Sequence, residues 1–109
     1  MENYNTLLTY FKFFASKDLE GLSELFDENV TLTDWEIGSI GKSQVLESNL
    51  KIFNSVQTIK VDVINILQKE LTYACQLIIT INNKEKIEVI DFIKFNEFGK
   101  IVSVKAYKG

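Results

Sequence analysis

The run Val89-Ile90-Asp91-Phe92-Ile93-Lys94-Phe95-Asn96-Glu97-Phe98-Gly99-Lys100-Ile101 carries the strongest structural signal in this chain. Its first part alternates with a period of two. Val89, Asp91, Ile93 and Phe95 fall on one face, and Glu88, Ile90, Phe92 and Lys94 on the other. That pattern predicts a strand, and Glu97-Phe98-Gly99 predicts a tight turn with Gly99 in the left-handed position. A partner strand from Lys100 to Tyr107 follows, in which Val102, Val104 and Ala106 oppose Ser103, Lys105 and Tyr107. Asp91 sits on the more apolar face of the first strand. Burying an unpaired polar group costs roughly 2–7 kcal/mol, so this carboxylate requires a reason.

Upstream, β-branched residues dominate from Thr58 onward, and strands are predicted over Thr58 to Gln68, Leu71 to Ile81 and Glu85 to Asn96. Lys69-Glu70 turns the first pair, and Asn82-Asn83 is a hairpin signal because asparagine tolerates positive φ. The first half is helical. Tyr4, Leu7, Leu8, Phe11, Phe14 and Ala15 recur at helical spacing between Asn3, a plausible N-cap, and Ser16. A second helix starts at Asp18, buries Leu19, Leu22, Leu25 and Phe26, and is broken by Asp27-Glu28-Asn29. Val30 to Asp34 alternates as a short strand, Gly38 and Gly41 bracket a loop, and Ser43 to Asn54 forms a third helix burying Leu46, Leu50 and Phe53. Helices first and strands after give an α+β fold. The expected architecture is a single domain, residues 1–109. It is a cone-shaped, curved antiparallel or mixed β-sheet with three helices on its concave face, a cystatin-like α+β roll.

The 109 residues suit one domain with a real core, and 46% hydrophobic with 25% charged content is that of a soluble globular protein. The net charge of −3 and scattered lysines argue against a nucleic-acid partner. No apolar run approaches a membrane span or signal-peptide core, so no membrane association and a cytoplasmic location are expected. There is no histidine, no arginine and a single cysteine, Cys75, which reads as a small core residue. Any chemistry must run on carboxylates, tyrosines and lysines. No phosphate loop, metal-ligand spacing or nucleophile–histidine pair is present, and no cofactor or metal is expected.

The order of elements resembles the nuclear transport factor 2-like superfamily, which includes ketosteroid isomerases and SnoaL-like polyketide cyclases. The resemblance rests on Asp18-Leu19-Glu20-Gly21-Leu22-Ser23-Glu24-Leu25-Phe26 leading into Val30-Thr31-Leu32-Thr33-Asp34, on Gly41 opening a helix, and on the ending from Val89 to Ile101 with Ala106-Tyr107. It implies the fold far more than an activity. Within the superfamily the site pattern is similar to that of the bacterial ketosteroid isomerases. The resemblance places Asp34 at the general base, Tyr10 at the oxyanion-hole tyrosine, and Asp91 at the second oxyanion donor, a carboxylic acid kept protonated. Phe26 and Asn49 stand where the isomerases carry supporting tyrosines, and Trp35 follows the base where proline is usual.

These three residues suit proton transfer beside a carbonyl. A charged Asp34 takes the α-proton while Tyr10 and a neutral Asp91 donate to the enolate oxygen. Each also has a plainer reading: Tyr10 as a core tyrosine, Asp34 as a turn carboxylate, Asp91 as an ion-pair partner of Lys105 or Lys60. Phe14, Trp35, Asn49, Phe53, Val89, Ile93, Val104 and Ala106 are the expected pocket lining. Trp35 is a lid, an exposed loop residue or a dimer contact. The expected function is isomerisation, cyclisation or dehydration of a small, largely apolar carbonyl ligand. The alternatives are a non-catalytic binding module and a dimeric adapter. Ile90, Phe92 and Ile78 leave the convex face too apolar for water, which points to a homodimer through that face.

Overall fold

The computed structural model describes residues 2–109. The element order is α1 (Glu2–Ala15), α2 (Leu19–Leu25), β1 (Phe26–Thr33), β2 (Gly38–Ile40), α3 (Lys42–Ser55), β3 (Ile59–Lys69), β4 (Thr72–Ile81), β5 (Glu85–Phe95) and β6 (Ile101–Lys108). The strands form one six-stranded mixed sheet in the order β2-β1-β6-β5-β4-β3. Only β1 and β6 run parallel; the other neighbours are antiparallel. The three helices and this sheet make the α+β fold anticipated from the pattern of elements. No helix among the described residues is long and apolar enough to cross a membrane.

Local chemistry accounts for most junctions. Asp18 caps α2, its Oδ1 accepting from the Gly21 amide at 2.9 Å. Asn82 and Asn83 turn the β4–β5 hairpin with φ of 54° and 60°, the double left-handed geometry of a type I′ turn. The Asn82 Oδ1 also accepts from the Gln57 amide at 2.6 Å, fastening the hairpin to the start of β3. Gly99 turns β5 into β6 at φ 79°. Register shifts between Val63 and Asn65 in β3 and between Lys94 and Phe95 in β5 mark bulges, which bend strands and deepen the curvature of a sheet.

One face of the sheet is the core. Phe26, Val30, Leu77, Ile93, Phe95, Ile101 and Val104 are buried there together with Leu7 and Phe11 of α1 and Leu22 of α2. The opposite face leaves Leu67, Ile90, Phe92 and Tyr107 exposed, with the rings of Phe92 and Tyr107 edge-to-face at 5.7 Å.

Four local expectations are corrected. The strand β1 starts at Phe26, so Asp27, Glu28 and Asn29 extend it instead of breaking the chain before it; the β1–β6 register skips between Phe26 and Thr31, which absorbs these polar residues. The expected loop between Gly38 and Gly41 is the strand β2, Gly38–Ile40, paired to β1 through Thr31 with Ile40 and Thr33 with Gly38. The first helix already includes Glu2, so Asn3 is not its cap. The buried face of α3 is Val45, Asn49 and Phe53, while Leu50 is 42% exposed.

The cap gives a simple check. Replacing Asp18 with alanine frees the Gly21 amide and is expected to cost about 1 kcal/mol, read as a lower midpoint in urea unfolding with an unchanged slope.

Candidate functional site

The sheet and helices enclose a cavity of about 240 Å³. Tyr10, Phe11 and Phe14 of α1 and Asn49 and Ile52 of α3 form one side. Leu77, Ile79, Ile81, Val89, Asp91, Val104 and Ala106 of the sheet form the other, and Asp34, Trp35, Glu36 and Ile37 stand at the end of β1. Tyr10, Asp34 and Asp91, drawn from three different elements, border the same space.

Asp91 arrives there through register. Its neighbours across the sheet are Cys75 on β4 and Ala106 on β6, both small, which leaves room around the carboxyl. The residue is 8% exposed and makes no ion pair among the described residues. Lys105 stands opposite Phe92 on the other face, and Lys60 lies 3.9 Å from Asp62, so neither lysine neutralises it. Burial, with a smaller contribution from the Asp34 charge, holds the Asp91 carboxyl up at about 7. Burial also raises the Tyr10 hydroxyl well above its usual range, Asp91 and Cys75 adding to it, so Tyr10 keeps its proton as a donor. The Cys75 thiol is pushed up to about 12, first by burial and then by Asp91, and is inert as a nucleophile at neutral pH.

Asp34 has a structural role in the turn that follows β1. Its Oδ1 accepts from the Glu36 amide at 2.7 Å and from the Ile37 amide, and its own amide donates to the Ile37 carbonyl at 2.9 Å. One side-chain oxygen therefore organises the β1–β2 turn, and Oδ2 accepts no hydrogen bond among the described residues. The turn displays Trp35, 46% exposed at the cavity rim, with the Lys108 ammonium 5.7 Å from its ring centroid. Asn49 is 1% exposed, and its Oδ1 has no donor among the described residues.

Phe14, Trp35, Asn49, Val89, Val104 and Ala106 line the cavity; Phe53 and Ile93 do not. The Phe53 ring is buried edge-to-face against Phe14 at 5.3 Å, behind the wall. Ile93 is fully buried beside Tyr73, its register partner, whose ring packs on Phe95 at 5.6 Å. The aliphatic wall of Val61, Leu77, Ile79, Ile81 and Ile87 was not anticipated, although the alternation in these strands marks it. Ile52 and Ile37 carry no comparable sequence signal.

Several solved structures share this fold. A candidate SnoaL-like polyketide cyclase from Shewanella denitrificans OS-217 superposes with a TM-score of 0.87 at 11% identity, over 98% of this chain and 90% of that one. A candidate ketosteroid isomerase from Kribbella flavida DSM 17836 gives 0.85 at 15% identity, over 99% and 78%. An NTF2-like protein of unknown function from Cytophaga hutchinsonii ATCC 33406 gives 0.82 at 14% identity, over 98% and 89%. No protein-family model and no curated protein sequence matches the chain. The chain thus has the cone fold of NTF2-like, SnoaL-like and ketosteroid isomerase-like proteins.

The Asp91 carboxyl makes stability depend on pH in a defined direction. Its folded value of about 7 lies above the ordinary 3.8, so below about pH 4 both folded and unfolded chains hold the proton. As pH rises from there the unfolded chain releases it first, and the folded state loses on the order of 4 kcal/mol by pH 8. Asp91→Leu is expected to be neutral near pH 4 and stabilising near pH 8, measured as the difference from the parent in urea unfolding. A loss at pH 8 would mean an ion pair that holds the charged form.

Proposed function

We propose that this protein binds a small, largely apolar carbonyl compound in the cavity and moves a proton on the carbon beside the carbonyl, in an isomerisation, cyclisation or dehydration. The observation that carries this reading is an unpaired, buried Asp91 sharing one cavity with Tyr10 and Asp34. The Asp34 Oδ2 removes the α-proton, the C–H electrons form the enolate carbon–carbon bond, and charge gathers on the oxygen. Two neutral donors, the Tyr10 hydroxyl and the Asp91 acid, then stabilise that oxygen; one such donor typically contributes about 10²–10³-fold. Returning the proton from Asp34 to a different carbon completes an isomerisation. Activity should fall as pH rises through about 7, where Asp91 loses its donor proton.

Asp34→Asn is a clean probe, because an amide oxygen can still accept from the Glu36 and Ile37 amides. It should abolish turnover of a carbonyl substrate while leaving the fold intact. It should also tighten binding of planar phenols as phenolates, read by their absorbance, by removing a negative charge beside the oxyanion. Phenol binding indifferent to Asp34 would leave a non-catalytic binding cavity. No phenol binding by either protein would sink the reading.

We further propose that two copies pair through the convex face. Leu67, Ile90, Phe92 and Tyr107 are exposed there, with Lys94 and Lys105 toward one end and Glu88, Asp62, Lys60 and Lys86 toward the other. A two-fold axis through the apolar centre would lay the same apolar patch of each copy on the other, the self-complementarity an isologous dimer needs. Sedimentation should find two chains per particle, and Phe92→Glu should yield one.

A further inference from the structure

Asn49 is the most buried polar side chain in the cavity wall. An amide oxygen buried without a donor costs about 1–3 kcal/mol, and a leucine of similar size would remove that cost. The position is not incidental to the helix: Val45 and Phe53, one turn to either side, are both buried, so α3 directs this face inward. The amide can exchange its oxygen and nitrogen edges by a half-turn of the side-chain torsion. A hydroxyl both donates and accepts and so satisfies either edge, whereas a ketone or ether oxygen only accepts.

Two further properties limit the partner. Asp34, Glu36 and Asp91 line the cavity and no lysine does, so no cation there neutralises a ligand that arrives as an anion, and the Tyr10 and Asp91 donors serve only an oxygen whose charge they stabilise directly. The volume of about 240 Å³ exceeds the roughly 150 Å³ of an apolar cavity that holds benzene, which suits one or two rings.

Resting on the function proposed above, we infer that the ligand is a neutral carbonyl compound of one or two rings bearing a separate hydroxyl, and that Asn49 binds that hydroxyl. The carbonyl meets Tyr10 and Asp91, and the hydroxyl is a second anchor that sets orientation. Asn49 is a specificity residue in this scheme and touches no reacting atom.

The test compares naphthol with its dihydroxy isomers, bound to the parent protein, Asp34→Asn, Asn49→Leu and Asn49→Ala. Affinity and phenolate absorbance are both recorded. At least one dihydroxy isomer should bind the parent and Asp34→Asn tighter than naphthol by roughly ten-fold or more. That preference should vanish in both Asn49 variants, each isomer being compared with naphthol bound to the same variant. If every isomer binds the parent no better than naphthol, or if the preference survives loss of Asn49, the inference is wrong. The proton-transfer reading then still stands on the phenolate signal of naphthol. If no naphthol binds at all, both fall together. Should Asn49→Leu fail to fold, Asn49→Ala and the isomer ranking on the parent decide the matter.

Discussion

The register of β5 between β4 and β6 is the constraint on which the rest of the molecule depends. Because side chains alternate across a strand, a slip of one residue would expose Val89, Ile93 and Phe95 and bury Ile90, Phe92 and Lys94. The loss of core area alone forbids it, as Ile93 and Phe95 are fully buried against the remainder of the core. Asp91 is carried to the concave side by the apolar neighbours of its own strand. Its burial is enforced by their hydrophobic gain and is not sought by the carboxylate itself. The type I′ hairpin at Asn82-Asn83 and the turn at Gly99 hold the register from both ends.

The electrostatics of the cavity follow from that placement. Burial is the largest influence on Asp91, Tyr10 and Cys75 alike, and the charges reinforce it instead of relieving it. The neighbouring charges push these groups further toward their protonated forms, so burial and charge act in the same direction on Tyr10, Cys75 and Asp91. Such an arrangement is costly to the fold, since no partner compensates Asp91 and no donor reaches the Asn49 oxygen. Local rules broken together around one cavity are the pattern expected of a functional site in an otherwise consistent structure.

Period-two alternation made four of the strands and the inner face of β5 readable from sequence, and the Asp18 cap and Asn82-Asn83 turn were readable from residue type. The strand at Gly38–Ile40 was not, because a three-residue strand that begins on a glycine carries no period and gains strand geometry only by pairing with β1. The face of α3 was misplaced by one position for an instructive reason. Leu46, Leu50 and Phe53 look like the apolar stripe, but the helix turns Asn49 inward and leaves Leu50 half exposed. A polar residue at the centre of a buried face defeats hydrophobic patterning. Tyr10, Asp34 and Asp91 were singled out by resemblance together with the anomaly of a charge in an apolar strand, and all three border the cavity. Phe53 and Ile93 were misassigned to the lining because facing the concave side does not distinguish the cavity wall from the packing behind it.

The divided use of Asp34 separates the two aspartates in their tolerance to change. One oxygen of Asp34 is part of the backbone architecture, holding the turn that carries Trp35, and only the other is free. A lineage without the proposed chemistry would still be pressed to keep an acceptor at this position simply to close the turn. Asp91, by contrast, has no structural obligation, and drift would discard it first. In any collection of descendants of this chain, the residue at position 91, far more than the one at 34, would report whether the proposed proton transfer is in use.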